Sequence, residues 1–208
     1  MLTKIHFSKL LYMNKTLLTN LKSLRLLITA GISILVIGWL LWTHFKGGVP
    51  SHHILKRKDM PGISNWWSGI LLPVLAWVLL GKIKNRIEKQ GMLDRQQYKS
   101  KMMRVLGLFS VGLLIGIILS VSFTNNYKPF LDNVLYLLFI LSFIVPVFFP
   151  EFILGFVLGM TYTFGAILPT AFVLILAAIG FLTYKFIRPL FIKLMKVIRK
   201  NPTISPNH

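Results

Sequence analysis

The stretch FLDNVLYLLFILSFIVPVFFPEFILGFVLGMTYTFGAILPTAFVLILAAIGFLTYKF, residues 130–186, is almost continuously apolar and decides the class of this protein. A membrane-spanning helix needs about 20 predominantly apolar residues, so these 57 residues can hold three spans. Prolines divide the run, because the residue before a proline avoids the helical region and proline suits the first turn of a helix. Pro146 and Pro150 mark the first break, and Gly165 with Pro169 marks the second.

Three further apolar runs precede this stretch, and the second of them is short and contains Pro73. The chain is 55% hydrophobic with a mean hydropathy of +0.70, which is too apolar for a soluble fold with a solvated surface. The sequence therefore predicts an all-α polytopic membrane protein, a bundle of six transmembrane helices. The predicted spans are at about residues 26–43, 66–81, 105–123, 130–149, 151–167 and 169–187.

Charge is scarce but strongly one-sided, with 24 Lys and Arg against 5 Asp and Glu. In a soluble protein this imbalance indicates nucleic-acid binding. Here the basic residues lie between long apolar runs, so we expect no nucleic-acid partner and a lipid bilayer with an anionic inner leaflet instead. If the N-terminus is inside, 19 basic residues fall in inner segments and 5 in outer ones. This predicts a protein of the cytoplasmic (inner) membrane with cytoplasmic N- and C-termini.

Basic amphipathic segments flank the predicted bundle on both sides. Residues 1–25 place apolar side chains at three- and four-residue spacings, with Lys15 and Lys22 at the edge of that face. Residues 188–208 repeat the pattern. Both are predicted to be interfacial helices on the inner leaflet, and a docking site for a cytoplasmic partner is the alternative. The resulting domain organisation is 1–25, 26–187 and 188–208.

The loop SHHILKRKDMPGISNWW, residues 51–67, carries the densest chemistry in the chain. His52, His53 and Asp59 are candidate catalytic groups for acid–base work at the outer interface. With His44 they are also candidate ligands of a divalent metal, although no established ligand spacing is present. No other cofactor is predicted. The chain has no cysteine, which excludes disulfides and thiolate chemistry.

The end of this loop has a structural interpretation. Ser64 or Asn65 can cap the following helix by accepting hydrogen bonds from its free N–H groups. Trp66 and Trp67 stand where an aromatic belt at the membrane surface is expected. Asn65, Trp66 and Trp67 are therefore predicted to anchor the chain at the interface.

One acidic residue, Glu151, is flanked by apolar sequence on both sides. An ionisable group at such a place is a functional candidate, because it is costly in a membrane. Glu151, Thr161, Thr163 and Ser142 are candidates for lining a narrow polar path. The structural alternative is that Glu151, which follows Pro150, offsets the positive end of a helix dipole.

Glycines four residues apart occur on two predicted spans. Gly112 and Gly116 lie on the third, and Gly155 and Gly159 lie on the fifth. Small residues at this spacing let two helices approach closely, either within one chain or in a homo-oligomer.

Three classes of function remain open on the sequence. A channel or transporter for a small ion or solute is favoured by the spans and by Glu151. A membrane-embedded enzyme would use the His/Asp loop, and an accessory or sensing protein would use the packing faces and basic ends. Each class predicts sensitivity at different residues.

Overall fold

A computed structural model of the chain describes the backbone of residues 2–47, 51–53, 62–91, 94–190 and 193. Side chains are described from residue 19 onward within those ranges, apart from residues 51–53 and 62–63. Asp59 and most of the predicted C-terminal tail lie outside the described residues.

The described chain is built from helices, and the predicted all-α class is confirmed. A short antiparallel pair of three-residue strands, β1 (Ser51–His53) and β2 (Gly62–Ser64), precedes the second helix. The helices are α1 (Leu2–Phe45), α2 (Trp66–Glu88), α3 (Arg95–Thr124), α4 (Lys128–Leu131), α5 (Val134–Ile144), α6 (Pro150–Phe164) and α7 (Ile167–Leu182). A π-helical turn, Thr183–Ile187, continues α7.

Four helical segments in the described residues are long and apolar enough to cross a membrane by length and composition: Thr19–Phe45, Trp66–Glu88, Arg95–Thr124 and Ile167–Leu190. Helix α5 has 11 residues and α6 has 15, fewer than the roughly 20 that a full span needs. Helix length alone therefore does not confirm six spans. The two short helices fall in the fourth and fifth predicted spans, and the proline-flanked break at residues 145–149 separates them.

The N-terminal segment and the first predicted span form one continuous helix. Helix α1 has 44 residues, and its backbone has no break near residue 25, where the sequence suggested a boundary. A helix of this length extends about 66 Å, roughly twice the thickness of the hydrocarbon core. The placement of residues 1–25 on the membrane surface remains a prediction.

Helices α3 and α6 pack through their glycines. A Cβ atom added at Gly112, Gly116, Gly155 or Gly159 would lie less than 3.0 Å from a backbone carbonyl oxygen of the opposite helix. Only glycine permits so close an approach of two backbones. The hydroxyl of Ser120 adds a hydrogen bond across the interface, 3.1 Å from the carbonyl oxygen of Gly159. These four glycines therefore face each other within a single chain.

The order of contacts makes α3 and α6 parallel. Midway along α3 the carbonyl of Phe109 faces Gly155, in the second turn of α6, and near the ends of both helices the rings of Phe123 and Phe164 are 4.5 Å apart. Because both helices run in the same direction, the chain between them has to return along the length of the interface. Helix α5 is part of this returning segment.

Helix α6 is the centre of the bundle. Its residues 151–157 are all buried, as expected for a helix that is apolar on every side. Helices α2, α3 and α7 all contact it. Gly165, with φ of +69° and ψ of −174°, has a backbone conformation that essentially only glycine adopts, and it ends α6 and turns the chain into α7.

We expect Gly112→Ala to lower the free energy of unfolding by about 1–3 kcal/mol, because the new methyl group overpacks a contact between two backbones. Gly107→Ala is the matched control on α3, since an added Cβ there meets nothing within 4 Å. The control should be neutral or slightly stabilising, because alanine favours a helix over glycine. Thermal unfolding of both variants in detergent, followed by circular dichroism, checks this. Equal stability of the two variants would contradict the glycine packing.

Candidate functional site

A buried ion pair joins α2 to α6. The Nη2 atom of Arg86 lies 2.7 Å from the Oε1 atom of Glu151. The Glu151 side chain is 1% exposed, whereas that of Arg86 is 33% exposed. Removing a carboxylate from water is costly, and a guanidinium at hydrogen-bonding distance offsets much of that cost.

Local sequence explains why these two groups meet. Arg86 is in the last turn of α2, and Glu151 is in the first turn of α6, directly after Pro150. Each charge suits its helix end, since a carboxylate stabilises an N-terminus and a guanidinium stabilises a C-terminus. The ring of Phe149 completes the contact, with the Arg86 guanidinium carbon 4.7 Å from its centroid.

Part of the ion pair's hydrogen-bonding capacity is unused. Neither the Oε2 atom of Glu151 nor the Nη1 atom of Arg86 has a hydrogen-bond partner, although both atoms are buried. Buried polar groups are usually paired, so two unpaired atoms in one ion pair are unusual.

Glu151 also lines an apolar cleft of about 350 Å³ between α1, α2, α3 and the start of α6. The charged groups on this cleft are Arg25, Lys84 and Glu151, and the rest of the lining is apolar. Arg25 is fixed against α2, since its Nε atom donates to the Trp77 carbonyl at 3.1 Å and its guanidinium stacks on the Trp77 ring.

A second, basic cup of about 200 Å³ lies beside the ion pair. Its polar lining comes from Arg86, Gln90, Lys101 and Arg104, around the ring of Phe149. Lys101 donates a hydrogen bond to the Gln90 side chain. The Arg104 guanidinium carbon is 5.8 Å from the Phe149 centroid, so two arginines contact one ring.

The structure does not gather the predicted path residues into one place. Thr161 lies ten residues after Glu151 on α6, about 15 Å along the helix, and its hydroxyl donates to the Val157 carbonyl at 2.6 Å. Thr163 is partly buried near the end of the same helix. Ser142 is fully buried beside α7 and donates to the Phe139 carbonyl at 2.6 Å. Among the predicted path residues, only Glu151 belongs to the ion pair and the cleft.

The predicted loop site is described only in part. His52 and His53 have their backbone in β1, opposite Ile63 and Gly62, while their side chains and all of Asp59 lie outside the described residues. The ring of His44 packs against aromatic neighbours, with its centroid 5.8 Å from that of Trp66. In the described part of the chain, no three His, Asp or Glu side chains converge as metal ligands would.

The predicted anchoring residues divide into a buried and an exposed set. Asn65 is buried, and its side-chain oxygen accepts from the Ser68 hydroxyl rather than from a backbone N–H. That hydroxyl in turn accepts from the Ala166 N–H at 2.9 Å, which ties the start of α2 to the α6–α7 turn. Trp66 and Trp67 are exposed, as side chains of an aromatic belt are.

Sequence reasoning missed Arg86 and Ser68. A lone acidic residue in an apolar stretch signals that a basic partner exists, but the chain offers 24 Lys and Arg to choose from. Ser68 carries no sequence signal, because its partner Ala166 is 98 residues away.

Comparison with protein-family models, curated proteins and solved structures found no match for this chain. Function therefore has to be inferred from the chemistry of the site itself.

We expect the Arg86–Glu151 pair to show a coupling free energy above about 1 kcal/mol in a double-mutant cycle of Arg86→Met and Glu151→Gln. Breaking a buried pair costs about 3–5 kcal/mol, and the partial exposure of Arg86 lowers our expectation for Arg86→Met to about 1–3 kcal/mol.

The control cycle uses Lys84 and Glu88, an i, i+4 pair along α2 at 3.1 Å. Its coupling should be only about 0.3–0.5 kcal/mol. Denaturant unfolding in detergent measures both cycles. If the two couplings are equal, the buried pair has no special structural role.

Proposed function

We propose that the protein is a membrane transporter or channel for a small solute or ion, and that Glu151 exchanges a proton during its cycle. One observation carries the proposal: a buried carboxylate has one oxygen paired with Arg86 and the other unpaired. Glu151 also lines an open cleft. An ionisable group buried among membrane helices commonly marks a proton or ion pathway.

The charges around Glu151 favour a proton over a metal cation. Arg86 contacts the carboxylate, and Arg25 and Lys84 line the same cleft. Arg25 and Lys84 repel a metal cation from the cleft, and Glu151 is the single carboxylate among its lining residues, whereas exchange of a proton needs no further ligand.

Protonation of Glu151 would act on the helices through Arg86. A neutral carboxyl attracts the guanidinium much less than a carboxylate does, so the ends of α2 and α6 would be free to separate. The adjoining cleft would then change shape. A two-state contact of this kind is the element that alternating access requires.

We further propose that the chain crosses the membrane six times, with both termini in the cytoplasm. The parallel arrangement of α3 and α6 supports this, since the segment that joins them in sequence, which includes α5, must run back in the opposite direction. Short helices are tolerated inside a membrane where other helices cover their ends. The 19 to 5 distribution of basic residues favours the inner placement of the α2–α3 turn and of both termini.

The other predicted classes of function have weaker support. An enzyme at the outer interface would depend on His52, His53 and Asp59. A divalent metal site there would use the same three residues and His44. An accessory or sensing role rests on the basic ends and on interaction with an anionic inner leaflet. A homo-oligomer would have to use a surface other than the α3–α6 glycines, such as the exposed face of α1.

Single introduced cysteines test the six-span topology, because the chain has none of its own. In intact cells, Asn126→Cys and Tyr162→Cys should react with a membrane-impermeant maleimide. Ile144→Cys and Gln90→Cys should react only after the membrane is opened. Ile144 and Tyr162 are 71% and 75% exposed, so the fold does not block either site. Labelling of Ile144→Cys from outside would indicate four crossings instead of six.

Flux through reconstituted vesicles tests the function. Purified protein in proteoliposomes with an internal pH dye should dissipate an imposed proton gradient faster than empty vesicles. Glu151→Gln should reduce the rate to that of empty vesicles, because an amide cannot exchange the proton. Glu88→Gln is the matched control, with the same carboxylate-to-amide change on α2, and should retain full flux. Equal flux in the wild type and Glu151→Gln would refute the role of Glu151.

A further inference from the structure

The basic cup beside the ion pair has the composition of a phosphate site. Arg86, Lys101 and Arg104 contribute three cationic groups, and no carboxylate is among its lining residues. Arginine binds phosphate oxygens with two parallel N–H groups, and lysine adds a point charge. The Arg86 side chain lines the cup and is 33% exposed.

Geometry holds these cations together. The guanidinium carbons of Arg86 and Arg104 lie 4.7 and 5.8 Å from the centroid of the Phe149 ring. The Gln90 side chain holds Lys101 through a hydrogen bond. Three cationic groups that line one cup repel one another, and a bound anion would relieve that repulsion.

The cup adjoins the apolar cleft. Ile87 and Val105 line both volumes, so they form the boundary between the basic cup and the apolar cleft. On the far side, α1 contributes Leu21, Leu24 and Ile28 to the cleft. An anionic head group and an apolar chain on the same molecule would fit these two neighbouring environments.

We propose that the cup and the cleft together bind one anionic phospholipid. Its phosphate lies among Arg86, Lys101 and Arg104, and one acyl chain lies in the cleft between α1, α2 and α3. Charge complementarity selects an anionic head group over a zwitterionic one, and the apolar cleft selects a lipid over free phosphate. The proposal does not depend on transport, although Arg86 and the cleft take part in both.

Lipid binding to the delipidated full chain in a neutral detergent tests the proposal directly, by native mass spectrometry. Phosphatidylglycerol should bind more tightly than phosphatidylcholine with the same acyl chains. Lys101→Gln with Arg104→Gln should weaken phosphatidylglycerol binding about thirtyfold, equivalent to about 2 kcal/mol for two lost basic contacts. The matched control is Arg95→Gln with Lys99→Gln, which removes two exposed charges from the same helix. It should leave binding unchanged.

A second arm separates the lipid from free phosphate. Glycerol phosphate, which has no acyl chain, should bind far more weakly than phosphatidylglycerol. Leu24→Trp, at a position that is 43% exposed, fills the cleft and should weaken only the lipid. Three results would each overturn the proposal: equal binding of phosphatidylcholine, equal loss in the control variant, or glycerol phosphate binding as tightly as the lipid. Because no flux is measured, these results are independent of the transport assay.

Discussion

The close approach of α3 and α6 sets the position of most other features of this protein. Two helices whose backbones touch through glycines have little freedom to slide or rotate, because every neighbouring residue is larger. Because α3 and α6 run in the same direction, the segment that joins them in sequence, which includes α5, has to run back. The same arrangement places the start of α6 beside the end of α2. Glu151 reaches Arg86 only because α6 is held in this register.

The ion pair gives this end of the bundle its chemical character. In water such a pair contributes little to stability, but Glu151 is almost fully buried and its charge requires a partner. Arg86 supplies that partner and also faces the basic cup. One guanidinium is therefore shared by a buried carboxylate, an aromatic ring and a surface that attracts anions. A change at the carboxylate would affect the cup through Arg86, and a change at the cup would affect the carboxylate in the same way.

Some features were predictable from the sequence because their causes are local. Prolines at positions 146 and 150 break the helix where they were expected to, because proline lacks a backbone N–H and restricts the residue before it. Gly165 ends α6 because it tolerates a positive φ. Helix α1 continues through residue 25 because no residue there is a helix breaker, and a change of amphipathic character does not interrupt backbone hydrogen bonds.

The sequence by itself determined that this is an all-α chain with helices apolar enough for a membrane, since that depends only on composition and run length. It also singled out Glu151, because an isolated carboxylate in apolar sequence is costly wherever it lies. Only the tertiary structure decided that Arg86 is its partner and that the glycines meet inside one chain. The physical reason is distance along the chain: Arg86 and Glu151 are 65 residues apart, and helix packing alone brings them together.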